Sequence, residues 1–191
     1  FMPGYYFQDY TLKLNHRVNP NNTIFLSTYL GNDKVYLIGR ETDENTGVKY
    51  MDRYDLGWGN ITTAFRWNNT SVRNVFSNVT VAYTHFRYLV SNKYWDKHPN
   101  SADNESGYIS YYSGVNDVIA RWSLSYYGIE GQQINAGVEH TWHVFNPGVN
   151  RERFEGDGYD EEHRVQKGEY IPGQEFTAYL DDRYRYGIIS G

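Results

Sequence analysis

The sequence predicts an all-β chain, an antiparallel up-and-down meander of about seven long strands that forms part of a transmembrane β-barrel. Three observations predict it. Apolar and polar residues alternate with period two over unusually long stretches, as strands with two different faces require. The connections alternate between short and long along the chain, which is the pattern of outer-membrane barrels. Aromatic residues make up 18% of the 191 residues, with 20 Tyr and 5 Trp, an excess that girdles at two membrane interfaces would absorb.

The clearest hairpin is VNDVIARWSLSYY, GIEG, QQINAGVEHTWHVF, residues 115–145. Val118, Ala120, Trp122, Leu124 and Tyr126 share one face of the first arm. Asp117, Arg121, Ser123 and Ser125 share the other, where Ile119 is the lone apolar residue. In the second arm Ile134, Ala136, Val138, His140, Trp142 and Val144 alternate with Asn135, Gly137, Glu139, Thr141 and His143. Each arm has an apolar face and a wet, charged one.

In chain order the predicted strands are 5–18, 23–37, 57–68, 74–90, 115–127, 132–145 and 174–186. The first sets Tyr10, Leu12, Leu14 and Val18 against Thr11, Lys13, Asn15 and Arg17. NPNN then supplies turn chemistry. The facing of the second strand stays open, because Phe25 and Tyr29 oppose Ile24, Leu26 and Leu30. In the third, Ile61, Phe65 and Trp67 oppose Asn60, Thr62, Arg66 and Asn68; in the fourth, Val79, Val81 and Tyr83 oppose Asn78, Thr80 and Thr84. In the last, Phe176, Ala178 and Leu180 oppose Glu175, Thr177, Tyr179, Asp181 and Arg183. Residues 38–56, 91–114 and 146–172 are expected as long extracellular loops on one end of the sheet.

Composition narrows the function classes. There is no cysteine, hence no disulfide framework or thiolate metal site. A net charge of -5 gives no nucleic-acid footprint, so no nucleic-acid partner is expected. With a mean hydropathy of -0.75, helical membrane spans are excluded, since no apolar run approaches the roughly 20 residues they need. The N-terminal FMPGYYFQDY has no charged segment followed by an apolar one, so an export signal would lie upstream of residue 1. An odd strand number does not suit a bacterial barrel, and the chain is expected to be a piece of a larger protein.

Three segments resemble the barrel of TonB-dependent outer-membrane receptors that carry an N-terminal carboxypeptidase-regulatory-like domain. The first is a hairpin with Asp9, Tyr10, Leu12, Leu14 and Asn15 leading to Leu26, Ser27, Tyr29, Gly31 and Asp33. The second is LGWGNITTAFRWN with FSNVTVAYTHFRY, and the third a strand carrying Glu175, Tyr179 and Asp182. The resemblance implies a 22-stranded barrel filled by a plug domain and energised by the TonB complex through an N-terminal part absent from this chain. It also implies outer-membrane lipid, a plug domain and the remaining barrel strands of the same protein, a surface lipoprotein lid and a nutrient ligand (siderophore, glycan or peptide) as partners, and a bacterial outer-membrane location. Two other classes fit the alternation: a soluble extracellular β-sandwich that binds carbohydrate or acts as an adhesin, and a passive porin.

No Walker loop, GxGxxG, HExxH or GxSxG is present, so neither an enzyme nor a cofactor is expected. His140 and His143 are three apart on a strand and face opposite sides, so they cannot share a metal ion. The acidic run 155–163 could offer Asp157, Asp160, Glu161 and Glu162 to Ca²⁺, but it lacks EF-hand spacing and reads as a solvated loop. Lumen charges Lys13, Arg17, Arg66, Asp117, Arg121, Glu139, Asp181 and Arg183 are expected to pair with one another or with a plug. The ligand-binding candidates are aromatic residues of the long loops: Tyr94, Trp95, Tyr111, Tyr112 and Tyr159. Aromatics beside charges suit stacking on sugars, aromatic chelates or peptides.

Overall fold

The computed structural model describes residues 1–99, 104–156, 159–186 and 189–190, with side chains for 1–99, 104–156 and 165–185. It is an antiparallel meander: β1 (Met2–Asn19), β2 (Asn22–Thr42), β3 (Lys49–Asn69), β4 (Val75–Lys97), β5 (Glu105–Tyr126), β6 (Gln132–Gly156), β7 (Tyr159–Lys167), β8 (Ile171–Tyr186) and the short β9 (Ile189–Ser190). Neighbours in sequence pair in order, except that β6 has two successive partners on one edge. Its lower part pairs with β8, from Gln132↔Tyr184 to Phe145↔Ile171. Its upper part pairs with β7, beginning at Val149↔Lys167.

The registers settle which residues share a face, since directly paired residues of antiparallel strands point the same way. One row across the sheet runs Leu14, Leu26, Phe65, Val81, Ala120, His140 and Phe176. The row below it runs His16, Ile24, Trp67, Val79, Trp122, Val138 and Ala178, and the row above it Leu12, Thr28, Thr63, Tyr83, Val118, Trp142 and Gln174. These rows form a continuous apolar band. The opposite face at the same height carries Asn15, Arg66, Thr80, Arg121, Glu139 and Thr177 in one row. The open facing of β2 is thereby resolved: Ile24, Leu26 and Leu30 lie in the band, while Phe25 and Tyr29 lie on the polar face.

No second sheet covers the band among the described residues. Trp122 is 49%, Val138 52% and Trp142 51% exposed. A sandwich would bury these side chains; this sheet presents them outward. On β6 the band runs from Ile134 to Val144, close to the 9–11 tilted residues with which a strand crosses a bilayer. Two band tryptophans have their polar ends satisfied near the lower margin: Trp67 Nε1 donates to Asn22 Oδ1 (2.9 Å) and Trp122 Nε1 to Ser77 Oγ (3.0 Å).

The structure departs from the sequence reading in the long connections. Residues 38–56 and 91–114 are mostly strand, and the β2–β3 and β3–β4 registers run unbroken to Thr42↔Lys49 and Lys49↔Lys97. The β2–β3 reversal is confined to 43–48. There Asp43 Oδ1 accepts from the Asn45 (2.8 Å) and Thr46 (3.4 Å) amides, and Gly47 takes a φ of 72°, a left-handed conformation glycine adopts without a Cβ clash. In 146–172, β6 runs on to Gly156 and is joined by β7. A bulge opposite Ser113 accommodates Pro147 and Gly148 (φ 142°). Proline cannot donate to a ladder, and the bulge is closed instead by Tyr111 Oη donating to Pro147 O (2.7 Å) and Ser113 Oγ to Asn146 O (2.8 Å).

The two faces predict unequal tolerance to charge. Val81 stands in the apolar band and its neighbour Thr80 on the polar face. An arginine at the lipid-facing midplane of a barrel costs about 2–4 kcal/mol. Val81→Arg is therefore expected to reduce heat-stable, folded protein in membranes well below the Thr80→Arg level, as read by heat-modifiability on gels.

Candidate functional site

At band height the polar face is knitted by hydrogen bonds between strands. Asp117 accepts from Thr84 Oγ1 (3.3 Å) and meets His143 Nδ1 (2.7 Å), whose Nε2 lies 3.8 Å from Glu175. Arg121 is bonded to Glu139, and Arg183 Nε lies 3.2 Å from Asp181. Asn135 donates to Asp181 (2.9 Å) and accepts from Ser125 (2.7 Å). Of the lumen charges expected to pair with one another or with a plug, Asp117, Arg121, Glu139, Asp181 and Arg183 have partners within this wall. Lys13, Arg17 and Arg66 have no acidic partner among the described residues. His140 sits on the other face, its ring 4.2 Å from that of Phe176 and nearly parallel to it, so the two histidines do point apart.

Above the band the polarity of both faces inverts. The turning point is the row Asp9, Gly31, Asn60, Phe86, Val115, Phe145 and Ile171 on the formerly polar face. The row above it carries Phe7, Asp33, Trp58, Tyr88 and Ser113. Next come Tyr5, Val35, Leu56, Val90 and Tyr111, then Leu37, Tyr54, Asn92 and Ile109. Aromatic and aliphatic side chains thus replace the polar network. The charged side chains described on this face here are acidic: Asp9, Asp33, Glu41, Asp52, Asp96, Glu105 and Glu152. Asp33 accepts from Tyr5 Oη (2.5 Å), which pushes the Tyr5 phenol above its ordinary value.

On the other face the apolar band gives way to basic side chains. Lys34, Arg40, Lys49, Arg53, Arg87, Lys93, Lys97, Arg151, Arg153 and Lys167 all point this way, with Asp55 and Glu155 as acidic companions. Asp55 is held by Lys34 (3.1 Å) and Arg53 (3.0 Å). Burial pushes its carboxyl up, but the hydrogen bonds from Arg53 and Lys34 outweigh that and hold it below the usual carboxylate range.

The sequence-derived ligand candidates are sorted by this register rather than gathered. Tyr94 and Tyr111 lie on the aromatic, acidic face; Trp95 and Tyr112 lie on the basic one. Neighbouring residues on a strand cannot both line one cavity. Tyr159 begins β7, and its side chain lies outside the described residues, as do those of Asp157, Asp160, Glu161 and Glu162. Trp58, Tyr88 and Val90 were missed because they belong to strands read as barrel wall, and Leu56 because it ends a stretch read as loop; only the pairing shows them sharing a surface with Tyr111.

No protein-family model matches the sequence, and no curated protein matches it. The fold is similar to a solved structure, the ferric yersiniabactin uptake receptor FyuA from Yersinia pestis, with a TM-score of 0.57 and 10% sequence identity. The match covers 95% of this chain and 26% of that receptor. The fold is an all-β antiparallel meander, similar to part of that receptor's transmembrane β-barrel. The chain spans about a quarter of the receptor it matches. In such a barrel the banded face meets lipid and the opposite face lines the lumen.

The Lys34–Asp55–Arg53 cluster gives a pH signature above the membrane. Its carboxyl is depressed in the folded state, so its stabilisation is fully present above about pH 4, the unfolded value. It is lost as pH falls through the lower folded value. Asp55→Asn is expected to cost about 1 kcal/mol near neutrality and to flatten the fall in thermal stability below about pH 4, measured by unfolding scans across pH.

Proposed function

We propose that this chain is barrel wall of an energised outer-membrane receptor that imports a nutrient ligand, and that cargo is received on the lumen face above the membrane band. The observation that carries the proposal is the inversion of polarity at the Asp9 to Ile171 row. A simple membrane wall needs an apolar outside and a polar inside. It does not need Trp58, Tyr88, Leu56, Val90, Ile109 and Tyr111 on the inside above the lipid. Rigid aromatic rings displayed on long paired strands supply large contact area at low entropic cost, and they occupy the side a ligand entering the lumen would meet.

The sequence resemblance to TonB-dependent receptors, the receptor-barrel fold and this lumen lining support the same reading. The barrel's remaining strands, a plug domain, the TonB complex and a surface lipoprotein lid complete the proposed assembly in the bacterial outer membrane. Siderophore chelates, glycans and peptides are all compatible with stacking surfaces. A passive porin would share the strands, but porin interiors are polar and water-filled, unlike the upper lining here.

Sidedness makes the proposal testable within pairs of adjacent residues. Tyr111→Ala and Tyr94→Ala, on the lumen face, are expected to weaken cargo binding by about two- to tenfold each, the value of one aromatic contact. Tyr112→Ala and Trp95→Ala are expected to leave it within twofold. Binding to whole cells expressing each variant at matched surface levels measures this, and equal losses within the pairs would refute lumen-side reception.

A further inference from the structure

At the upper margin of the lipid face lies a groove of about 320 Å³. Tyr10, Leu30 and Ile61, the top row of the apolar band, line its lower side, and Asn32, Gly59 and Arg87 line its upper side. Glycine at 59 lets the groove keep this form without displacing its neighbours. A Cβ there would meet Gly31 O at 3.0 Å, Asn32 Oδ1 at 3.2 Å and Arg87 Nε at 3.3 Å. The missing side chain leaves room for the guanidinium to lie close over the backbone, where Arg87 Nη2 donates to Asn32 Oδ1 (3.1 Å). Arg87 has no acidic partner among the described residues, and it stays exposed.

We infer that this groove binds the phosphorylated headgroup of an outer-leaflet glycolipid, with Arg87 as the phosphate anchor and Tyr10, Leu30 and Ile61 against the first acyl carbons. The inference rests on the outer-membrane reading above. Height singles out a lipid as the occupant. The basic residue stands one row above the row that ends the apolar band, on the same outward face, where a headgroup begins. Charge agrees, because Lys34 lies one row higher and Arg151 and Lys93 higher still on that face. Acidic groups on these strands mostly face the lumen. An arginine already oriented by Asn32 can offer its remaining N–H groups to phosphate oxygens in a fork geometry that lysine does not reproduce.

The test uses the intact protein in lipid nanodiscs, probed by native mass spectrometry with lipid A and with lipid A stripped of its phosphates. The wild type is expected to retain the phosphorylated form about tenfold better. Arg87→Gln should abolish that preference and Arg87→Lys should keep part of it, while heat-modifiability confirms a folded barrel for both. Equal retention of the two lipids by the wild type, or an unchanged preference in Arg87→Gln, would overturn the proposal. So would displacement of the lipid by inorganic phosphate alone, which would make the groove a general anion site. Failure of the wild type to enter nanodiscs at all would overturn the membrane reading itself, a result distinct from entry without lipid preference.

Discussion

The rest of this structure depends on backbone pairing. A strand crossing a bilayer has no water for its amides and carbonyls, so each must find a partner in the next strand. Here the pairing does not stop at the membrane margin. β2, β3, β4 and β5 continue paired well past the apolar band, to reversals at 43–48 on one side and between Lys97 and Glu105 on the other. The same ladder that satisfies the membrane also lifts side chains above it in fixed alternation, so the upper wall is as ordered by register as the lower.

One register with period two then imposes four environments on the chain. Below, the outer face meets lipid and the inner face a polar lumen; above, the outer face is basic and the inner face aromatic and acidic. The switch occurs without a break in most strands. Phe65 and Trp58 lie on the same strand, yet the first faces lipid and the second the lumen. The change is written in the residues, not in the backbone. β6 is the exception, where Pro147 and Gly148 insert a bulge and the strand exchanges β8 for β7 as its partner. There the extra residue shifts the phase, so Asn150 and Glu152 return to the inner face and Arg151 and Arg153 to the outer one.

Polar groups are handled differently in the two halves. Within the membrane span, Thr84, Asp117, His143 and Glu175 form a line across four strands, and Arg121 pairs with Glu139. These contacts compensate Asp117, Arg121 and Glu139, while Lys13, Arg17 and Arg66 on the same wall have no acidic partner among the described residues. Above the span, basic and acidic residues are separated through the sheet instead of paired along it, with the Lys34, Asp55 and Arg53 cluster as the main local exception. Separation of this kind gives each face its own electrostatic character and its own class of neighbour.

The sequence by itself determined the strand count in the membrane, the short turns at one end and the sidedness of the band in every strand but the second, whose facing the register decided. Leu12, Phe65, Val81 and Trp122 declare their face by strict alternation against Lys13, Arg66, Thr80 and Arg121, and that pattern is local. It did not determine that GRETDENTGVKYMDRYD and the tyrosine-rich stretch after Val90 are strand. In those stretches the apolar residues sit on the opposite phase, and turn-forming Asp, Asn and Gly interrupt them, so a polar average reads as loop. Nor did it decide that Tyr94 and Tyr111 share a surface with Trp58 and Tyr88 while Trp95 and Tyr112 do not. Which residues of distant strands stand side by side is fixed by register, and register is set by pairing between segments far apart in the chain. Only the tertiary structure supplies it.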